Sequence, residues 1–515
     1  MRMRLSFILF TLESNPGALP AMASGIRTSR LVSALALLSL AAAPSFSEPA
    51  APATARVLMV SDIHFEPFWD PAKAAQLAAA PASGWTAILA SAPSPDRETR
   101  FDALQQACPT RGDDTSYPLF ASSLKAMKIN AAGAKFVTVS GDLISHSFTC
   151  KFATVFPNAK PGDFRAFVEK TIEFVVDSLR NALPSVPVYA SLGNNDSDCG
   201  DYQLDANSGF LDDTGRVLTA DVPTAESKQA RKDFAIGGNF SVTLPAPFAH
   251  TRLIVLDDVF IARKYQTCQG KDDPSEAKRQ IAWLRTELDH ARQAKLKVWV
   301  MTHIPPGVDA QSTAAKGMSI CAGKDPAVFL SSDDLPDALA PYGDVISLAI
   351  FGHTHMDELR LLIPPGTPPR DHGVPVKLVP SISPIDGNNP SITVARVDPN
   401  TATLIDYRVI AASNQTGIDT TWAQEYDYAQ TYNEPAFSGT ALAALIGEFT
   451  ADTGARLPAS QAYIRNYFVG DRSSELAPFW PIATCGLINM SAHSFSTCAC
   501  ARLHATAQHG DNPVR

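Results

Sequence analysis

The stretch Ile346-Ser347-Leu348-Ala349-Ile350-Phe351-Gly352-His353-Thr354-His355 runs from a short apolar segment into two imidazoles one residue apart. A run of this length, rich in branched and aromatic residues, predicts a buried strand that ends at the glycine. Two histidines at i and i+2 after a strand point to one side, and they are costly to leave unpartnered beside apolar residues. Four other runs end in a similar way. Asp62-Ile63-His64 follows Arg56–Ser61, and Gly141-Asp142 follows Phe136–Ser140. Gly193-Asn194-Asn195-Asp196 follows Val186–Leu192, and Thr302-His303 follows Val298–Met301. Taken singly each block is ordinary, since Gly-Asp is a common turn pair and a histidine before Ile304-Pro305-Pro306 reads as a loop residue. Taken in order they supply imidazoles, carboxylates and an amide, the ligand set for two divalent cations that share a bridge. The chemistry this points to is metal-assisted hydrolysis.

The apolar runs alternate with helix-like stretches such as Phe164–Asn181 and Ser275–Gln293, which predicts an α/β fold. In open α/β sheets the ligand-binding residues collect outside the carboxyl ends of the strands. All five blocks fall there.

The order DxH, GD, GNxD, H, GHxH resembles the calcineurin-like metallophosphoesterase superfamily over about Arg56 to Ile410. Within it the chain is most similar to the acid sphingomyelinase-like phosphodiesterases. The features that carry this are Gly141-Asp142-Leu143-Ile144-Ser145-His146, the run from Gly352 to Glu358, and Ser381-Ile-Ser-Pro-Ile-Asp-Gly-Asn-Asn-Pro390 before a strand-like Ser391–Val397. Trp422-Ala-Gln-Glu-Tyr426 with Tyr432 extends the likeness into the tail. The resemblance implies a four-layer α/β/β/α sandwich. It also implies a site in which Asp62, His64 and His355 hold one metal, Asn194, His303 and His353 hold the other, and Asp142 bridges them. A hydroxide held between ions ~3.5–4 Å apart would be the nucleophile. The resemblance and an exported location favour Zn²⁺, although the mixed His, Asp and Asn set also suits Mn²⁺ or Fe.

One position departs from the family, which usually places histidine after the asparagine to protonate the leaving group. Here it is Asn195, whose amide can donate a hydrogen bond to a phosphoryl oxygen but delivers no proton at neutral pH. His146 is then the remaining general-acid candidate. The alternatives left open are a phosphomonoesterase of the acid-phosphatase kind and a binding protein that retains metals without catalysis.

At 515 residues the chain exceeds what one hydrophobic core usually fills, so a second unit is expected. Residues 1–47 read as a signal peptide: Arg27 and Arg30 precede the apolar Leu31–Ala43, and small residues follow. Met22 offers a more ordinary start for such a leader. Residues 48–410 form the metallophosphoesterase domain in this reading, and 411–515 a small helical, cysteine-containing C-terminal subdomain with helices over Thr421–Tyr432, Gly439–Thr450 and Ser460–Phe468. Nothing between the leader and Asp62 has room for the saposin-like domain of the sphingomyelin-cleaving relatives. Eight cysteines, an even number, fit pairing in an oxidising compartment, so the protein is expected to be secreted or periplasmic. Cys498 and Cys500 are too close in sequence to bond to each other. The net charge of −9, without a Lys/Arg run, gives no sign of a nucleic-acid-binding surface, and no segment after the leader is apolar enough to span a bilayer. The long loops Glu66–Thr115 and Asp196–Lys232 are candidate substrate walls, and Phe65, Phe68 and Trp69 are candidates either for substrate contact or for core packing. The expected partner is a small-molecule or lipid phosphoester: sphingomyelin, another phospholipid or a nucleotide.

Overall fold

The computed structural model describes residues 54–508, apart from 315–316, 365 and 368–372; the expected signal peptide lies outside these residues. From Pro52 onward the chain forms one compact unit. Among the described residues twelve strands build two six-stranded sheets. The first sheet has the order β12-β11-β10-β1-β2-β3. Its strands are β1 (Ala55–Val60), β2 (Val137–Ser140), β3 (Val188–Ser191), β10 (Ser391–Asp398), β11 (Thr403–Ala412) and β12 (Trp422–Asp427). The second has the order β4-β5-β6-β7-β9-β8. It contains β4 (Phe240–Thr243), β5 (Thr251–Val255), β6 (Lys297–Met301), β7 (Ile346–Phe351), β8 (Glu358–Leu362) and β9 (Val374–Leu378).

Each sheet has a parallel part, β1-β2-β3 at one end of the first and β5-β6-β7-β9 in the middle of the second. Every position of β2, β3 and β9 is buried, as parallel strands covered on both faces require. Trp299 of β6 ties the sheets together. Its ring meets Phe136, which leads into β2, edge to face at 5.5 Å, and its indole N–H donates to the Ala402 carbonyl at 2.8 Å.

Helices close the outer faces. The helix Asp163–Ala182 buries Phe167, Thr171, Phe174, Val175 and Leu179, an i, i+4, i+7, i+8, i+12 stripe, and packs against β3. Tyr117–Asn130 packs on β10, and Ser275–Gln293 covers β5 and β6. The result is the expected four-layer α/β/β/α sandwich.

Phe65 and Phe68 are fully buried among Phe120, Phe148, Phe167 and Phe174, so core packing rather than substrate contact is what they do. Trp69 stacks under the Arg97 guanidinium at 4.3 Å. The long loops also differ from a pair of bare walls. Glu66–Thr115 contains the helices Ala74–Ala79, Trp85–Leu89 and Arg97–Ala107, and Asp196–Lys232 enters the helices Gly209–Leu218 and Thr224–Gly237.

The tail needs a correction. Trp422–Asp427 is a strand, antiparallel to β11, and only Tyr428–Tyr432 of the expected helix is helical. The boundary at 410 therefore falls inside β11, and the first sheet runs on to Asp427 before the helices Gly439–Ala451, Pro458–Asn466, Trp480–Gly486 and Ala492–Gln508 begin. All eight cysteines are paired, Cys108–Cys150, Cys199–Cys268, Cys321–Cys500 and Cys485–Cys498. Cys498 and Cys500 bond to different partners, as their spacing requires. The Cys321–Cys500 bridge fastens the last helix to the loop after β6. No described helix is long and apolar enough to cross a membrane.

Candidate metal centre

Five strands stop at one edge of the sandwich, and the chain turns there in a strained way. Asp62 (φ 47°), His64 (φ 43°), Asp142 (φ 54°), His353 (φ 71°) and His355 (φ 65°) all lie in the left-handed region, which non-glycine residues seldom occupy. Such strain persists only where the surroundings over-determine it. Gly141 precedes one of these turns at φ 85°, and a Cβ there would come within 2.7 Å of the His303 ring. Gly352 likewise has no room for a side chain against Ser61 and Asp62. Two buried carboxylates pin the turns: Asp196 accepts from the backbone N–H groups of Leu143, Ile144 and Gly193, and Asp258 from those of His303 and Ile304. Burial, with Asp142 adding to it, raises Asp196 to about 7, and burial raises Asp258 to about 6.

The turns bring all seven expected metal ligands together. His355 Nε2 lies 3.1 Å from His64 Nε2 and 3.4 Å from Asp62 Oδ1. Asn194 Oδ1 lies 3.1 Å from His303 Nε2 and 2.9 Å from His353 Nδ1. Between the groups stands Asp142, whose Oδ2 is 3.4 Å from His64 Nε2 and 3.1 Å from His303 Nε2. The outward ring nitrogens are engaged elsewhere. His64 Nδ1 donates to the Ile144 carbonyl at 3.0 Å and His303 Nδ1 to that of Ser140 at 2.8 Å, which turns each Nε2 lone pair inward. Asn194 donates from Nδ2 to Asp201 at 2.7 Å, so its oxygen faces the histidines. Imidazole nitrogens and carboxylate oxygens converging within a buried space fit a pair of divalent cations.

The charges agree. Burial raises Asp62, but His355, His64 and His303 outweigh it and bring the carboxyl down to about 2. Asp142 is likewise held well below the usual carboxylate range by His303 and His64 against its burial. Burial lowers His353 and His355 to about 3, while Asp142 overcomes burial at His64 and His303 and lifts them to about 9 and about 10. Both carboxylates are thus anionic, the form in which they bind metal.

His146 stacks on His64 with ring centroids 4.0 Å apart and stays partly exposed to the cleft. Its Nδ1 donates to Asp114 Oδ1 at 3.0 Å, and its backbone N–H donates to the same carboxylate at 2.8 Å. Asp114 is buried, yet His146, His64 and Lys151 hold its carboxyl well below the normal range. Behind it, the fully buried Lys151 pairs with Glu66. Sequence reasoning missed Asp114, which carries no motif and sits deep in a long loop. It also missed Asp386, 3.3 Å from His355 Nδ1, although that aspartate lies inside the Ser381–Pro390 segment. Asn195 is placed differently from expectation. Its side-chain amide donates to Asp142 Oδ2 at 2.9 Å and its backbone N–H to Oδ1 at 2.8 Å, so the residue orients Asp142 instead of facing the cleft.

The centre opens into a cleft of about 1060 Å³. One wall comes from the loops after β3 and β5 (Asp201, Tyr202, Arg263, Lys264). The opposite wall comes from Arg111, Asp386 and the C-terminal helices, with Tyr463, Tyr467 and Phe479. The Tyr202 hydroxyl reaches His353 Nε2 at 3.3 Å.

A family model described as calcineurin-like phosphoesterase matches residues 55–357. The acid sphingomyelinase-like phosphodiesterase 3b of Mus musculus is 25% identical over 404 residues, covering 74% of this chain and 77% of that protein. The cyclic GMP-AMP phosphodiesterase SMPDL3A of Mus musculus is 24% identical over 408 residues, 75% of this chain and 81% of that one. Among solved structures, a dimetal phosphatase from Danio rerio aligns over 73% of this chain and 100% of its own, at 12% identity and a TM-score of 0.39.

Proposed function

The chain belongs to the calcineurin-like phosphoesterase family and is a metal-dependent phosphoester hydrolase, and from that premise we propose that it is an exported phosphodiesterase with two metals joined through Asp142. In this reading Asp62, His64 and His355 hold one ion, Asn194, His303 and His353 the other, and Asp142 both. The single observation that carries it is that Asp142 Oδ2 approaches a histidine of each group, at 3.4 and 3.1 Å. Two bound divalent ions supply charge stabilisation at the phosphoryl oxygens and a water acidic enough to act as nucleophile near neutral pH. Zn²⁺ suits the nitrogen-rich donors, and Mn²⁺ or Fe the mixed set.

The chain's own residues supply the rest. Asn195 fixes the Asp142 carboxylate from two sides. His146, held at Nδ1 by Asp114, keeps Nε2 for the leaving oxygen. The cleft is large enough for a substrate with a substantial group beyond the phosphate, and two relatives named as phosphodiesterases support a diester or phosphoanhydride over a monoester. Export is supported by the four disulfides. The test is turnover of bis(p-nitrophenyl) phosphate, an alkyl diester and p-nitrophenyl phosphate by the mature, metal-loaded protein. Diester hydrolysis should dominate. Preference for the monoester favours an acid-phosphatase-like enzyme, and no turnover with two metals bound favours a binding protein.

A further inference from the structure

The cleft carries an asymmetry of charge. Its wall carboxylates are engaged by the protein itself: Asp386 pairs with Arg111 at 3.0 Å, Glu358 with Arg360 at 2.9 Å, and Glu475 with Arg472. Asp201 accepts from Asn194 at 2.7 Å, and Asp309 from the Ser312 backbone at 2.8 Å. Two cations on the wall, Arg263 and Lys264, are exposed, and among the described residues neither lies within ion-pair distance of a carboxylate, Lys264 acting on Asp201 only from farther off. Lys264 sits 4.9 Å above the Tyr202 ring, and the hydroxyl of that tyrosine touches His353. Lys264 thus stands beside the Asn194–His303–His353 group, and Arg263 adjoins it through Phe329, whose ring lies 5.4 Å from that of His353.

Their position is held by backbone. Arg263 N–H donates to the Phe329 carbonyl at 2.9 Å, Gln266 N–H to that of Tyr202 at 3.0 Å, and Leu204 N–H to that of Gln266 at 3.1 Å. The Cys199–Cys268 disulfide closes the same pair of loops. The backbone that carries both side chains is therefore fixed before an anion arrives.

The aromatic rings give the complementary sign. A quaternary ammonium binds over exposed aromatic faces. Here Tyr202 carries Lys264, Phe329 carries the Arg360 guanidinium at 5.7 Å, and Phe468 carries that of Arg472 at 5.2 Å. Of the rings that line the cleft, these three are capped by the protein's own cations, and a choline headgroup over any of them would meet like charge; Tyr463, Tyr467 and Phe479 also line it and carry no such cap among the described residues.

We propose that Arg263 and Lys264 form a subsite for a second anionic group of the substrate, one joined to the scissile phosphate, on a wall that a choline headgroup does not share. This rests on the phosphodiesterase reading and narrows it to substrates bearing two or more linked phosphates.

The experiment measures dissociation constants of the metal-loaded protein by calorimetry for three probes: α,β-methylene ADP, AMP and phosphocholine. The first two differ only in the second anionic group. The wild type should bind α,β-methylene ADP at least about tenfold more tightly than AMP, as one charge-assisted contact implies, and phosphocholine most weakly. Arg263→Ala combined with Lys264→Ala should bring the first ratio close to one. Arg263→Gln alone, which leaves Lys264 on Tyr202, should give an intermediate ratio and guards against disturbed packing. A wild-type ratio near one, a ratio that survives the double substitution, or tightest binding of phosphocholine overturns the subsite. Turnover of bis(p-nitrophenyl) phosphate by the wild type is read in parallel. Its absence alongside an intact ratio removes the phosphodiesterase reading alone, and a lost ratio alongside normal turnover removes the subsite alone.

Discussion

His146 has one ring nitrogen on Asp114 and its other side toward the cleft, which makes its role separable from that of the metal ligands. If Nε2 protonates the leaving oxygen, His146→Gln slows an alkyl diester by ~10²–10⁴ and an activated aryl ester far less. Asp114→Asn loosens the carboxylate that holds the His146 ring in place and should show the same leaving-group dependence at smaller size. Rates measured on both esters decide this; equal losses on the two would assign His146 to binding or packing. Gly141 makes the opposite kind of prediction, one about fold. Alanine there meets the His303 ring at 2.7 Å and must hold φ near 85°, so Gly141→Ala should destabilise by about 1–3 kcal/mol and lower metal content together. Unchanged thermal unfolding would show that the turn relaxes. These residues also mark what the sequence discloses. The ligands were legible because each ends an apolar run in a residue type that burial penalises without a partner. Asp114 and Asp386 were not, because a carboxylate in a loop gives no sign of which ring it will face.

At the scale of elements, strand ends were legible and edge strands were not. β7 coincides with the expected Ile346–Phe351, and the helix Ser275–Gln293 matches to the residue. In Thr421–Tyr432 the aromatic residues at Trp422, Tyr426 and Tyr432 fit a helical stripe over so short a window, yet β12 is a half-exposed edge strand whose alternation is weak. What decides it is long-range: Tyr426 donates to the buried Asp357 at 2.6 Å, and Asp357 also pairs with the buried Lys377. Tyr426→Phe removes one donor from that carboxylate and should cost about 1–3 kcal/mol of stability in a urea titration, whereas a surface tyrosine would cost almost nothing. The loops that build the cleft escape local pattern altogether, since Tyr202 and Lys264 meet across two distant segments that the Cys199–Cys268 bridge also joins.

At the scale of the molecule, the centre joins the two sheets: Asp62, His64, Asp142 and Asn194 leave the first, His303, His353 and His355 the second. Bound ions should therefore stabilise the whole unit, and a chelator should lower the unfolding temperature in proportion to metal lost. A second whole-molecule effect comes from Asp257, which is fully buried with one oxygen unpartnered; burial, and after it Asp258, raises its carboxyl well above the usual range. The folded state holds that proton more tightly than the unfolded chain. Its stabilisation is complete below pH ~4, the unfolded value, and is lost as pH rises toward the folded one. Asp257→Asn, which keeps the neutral shape, should thus gain stability relative to wild type from pH ~4 upward, and a pH-independent difference would contradict this. The account as a whole turns on one carboxylate serving both metals. Its most direct test is the metal content of Asp142→Asn, read with turnover of bis(p-nitrophenyl) phosphate. Loss of both ions and of activity is the predicted result; two ions retained with near-normal turnover would contradict it.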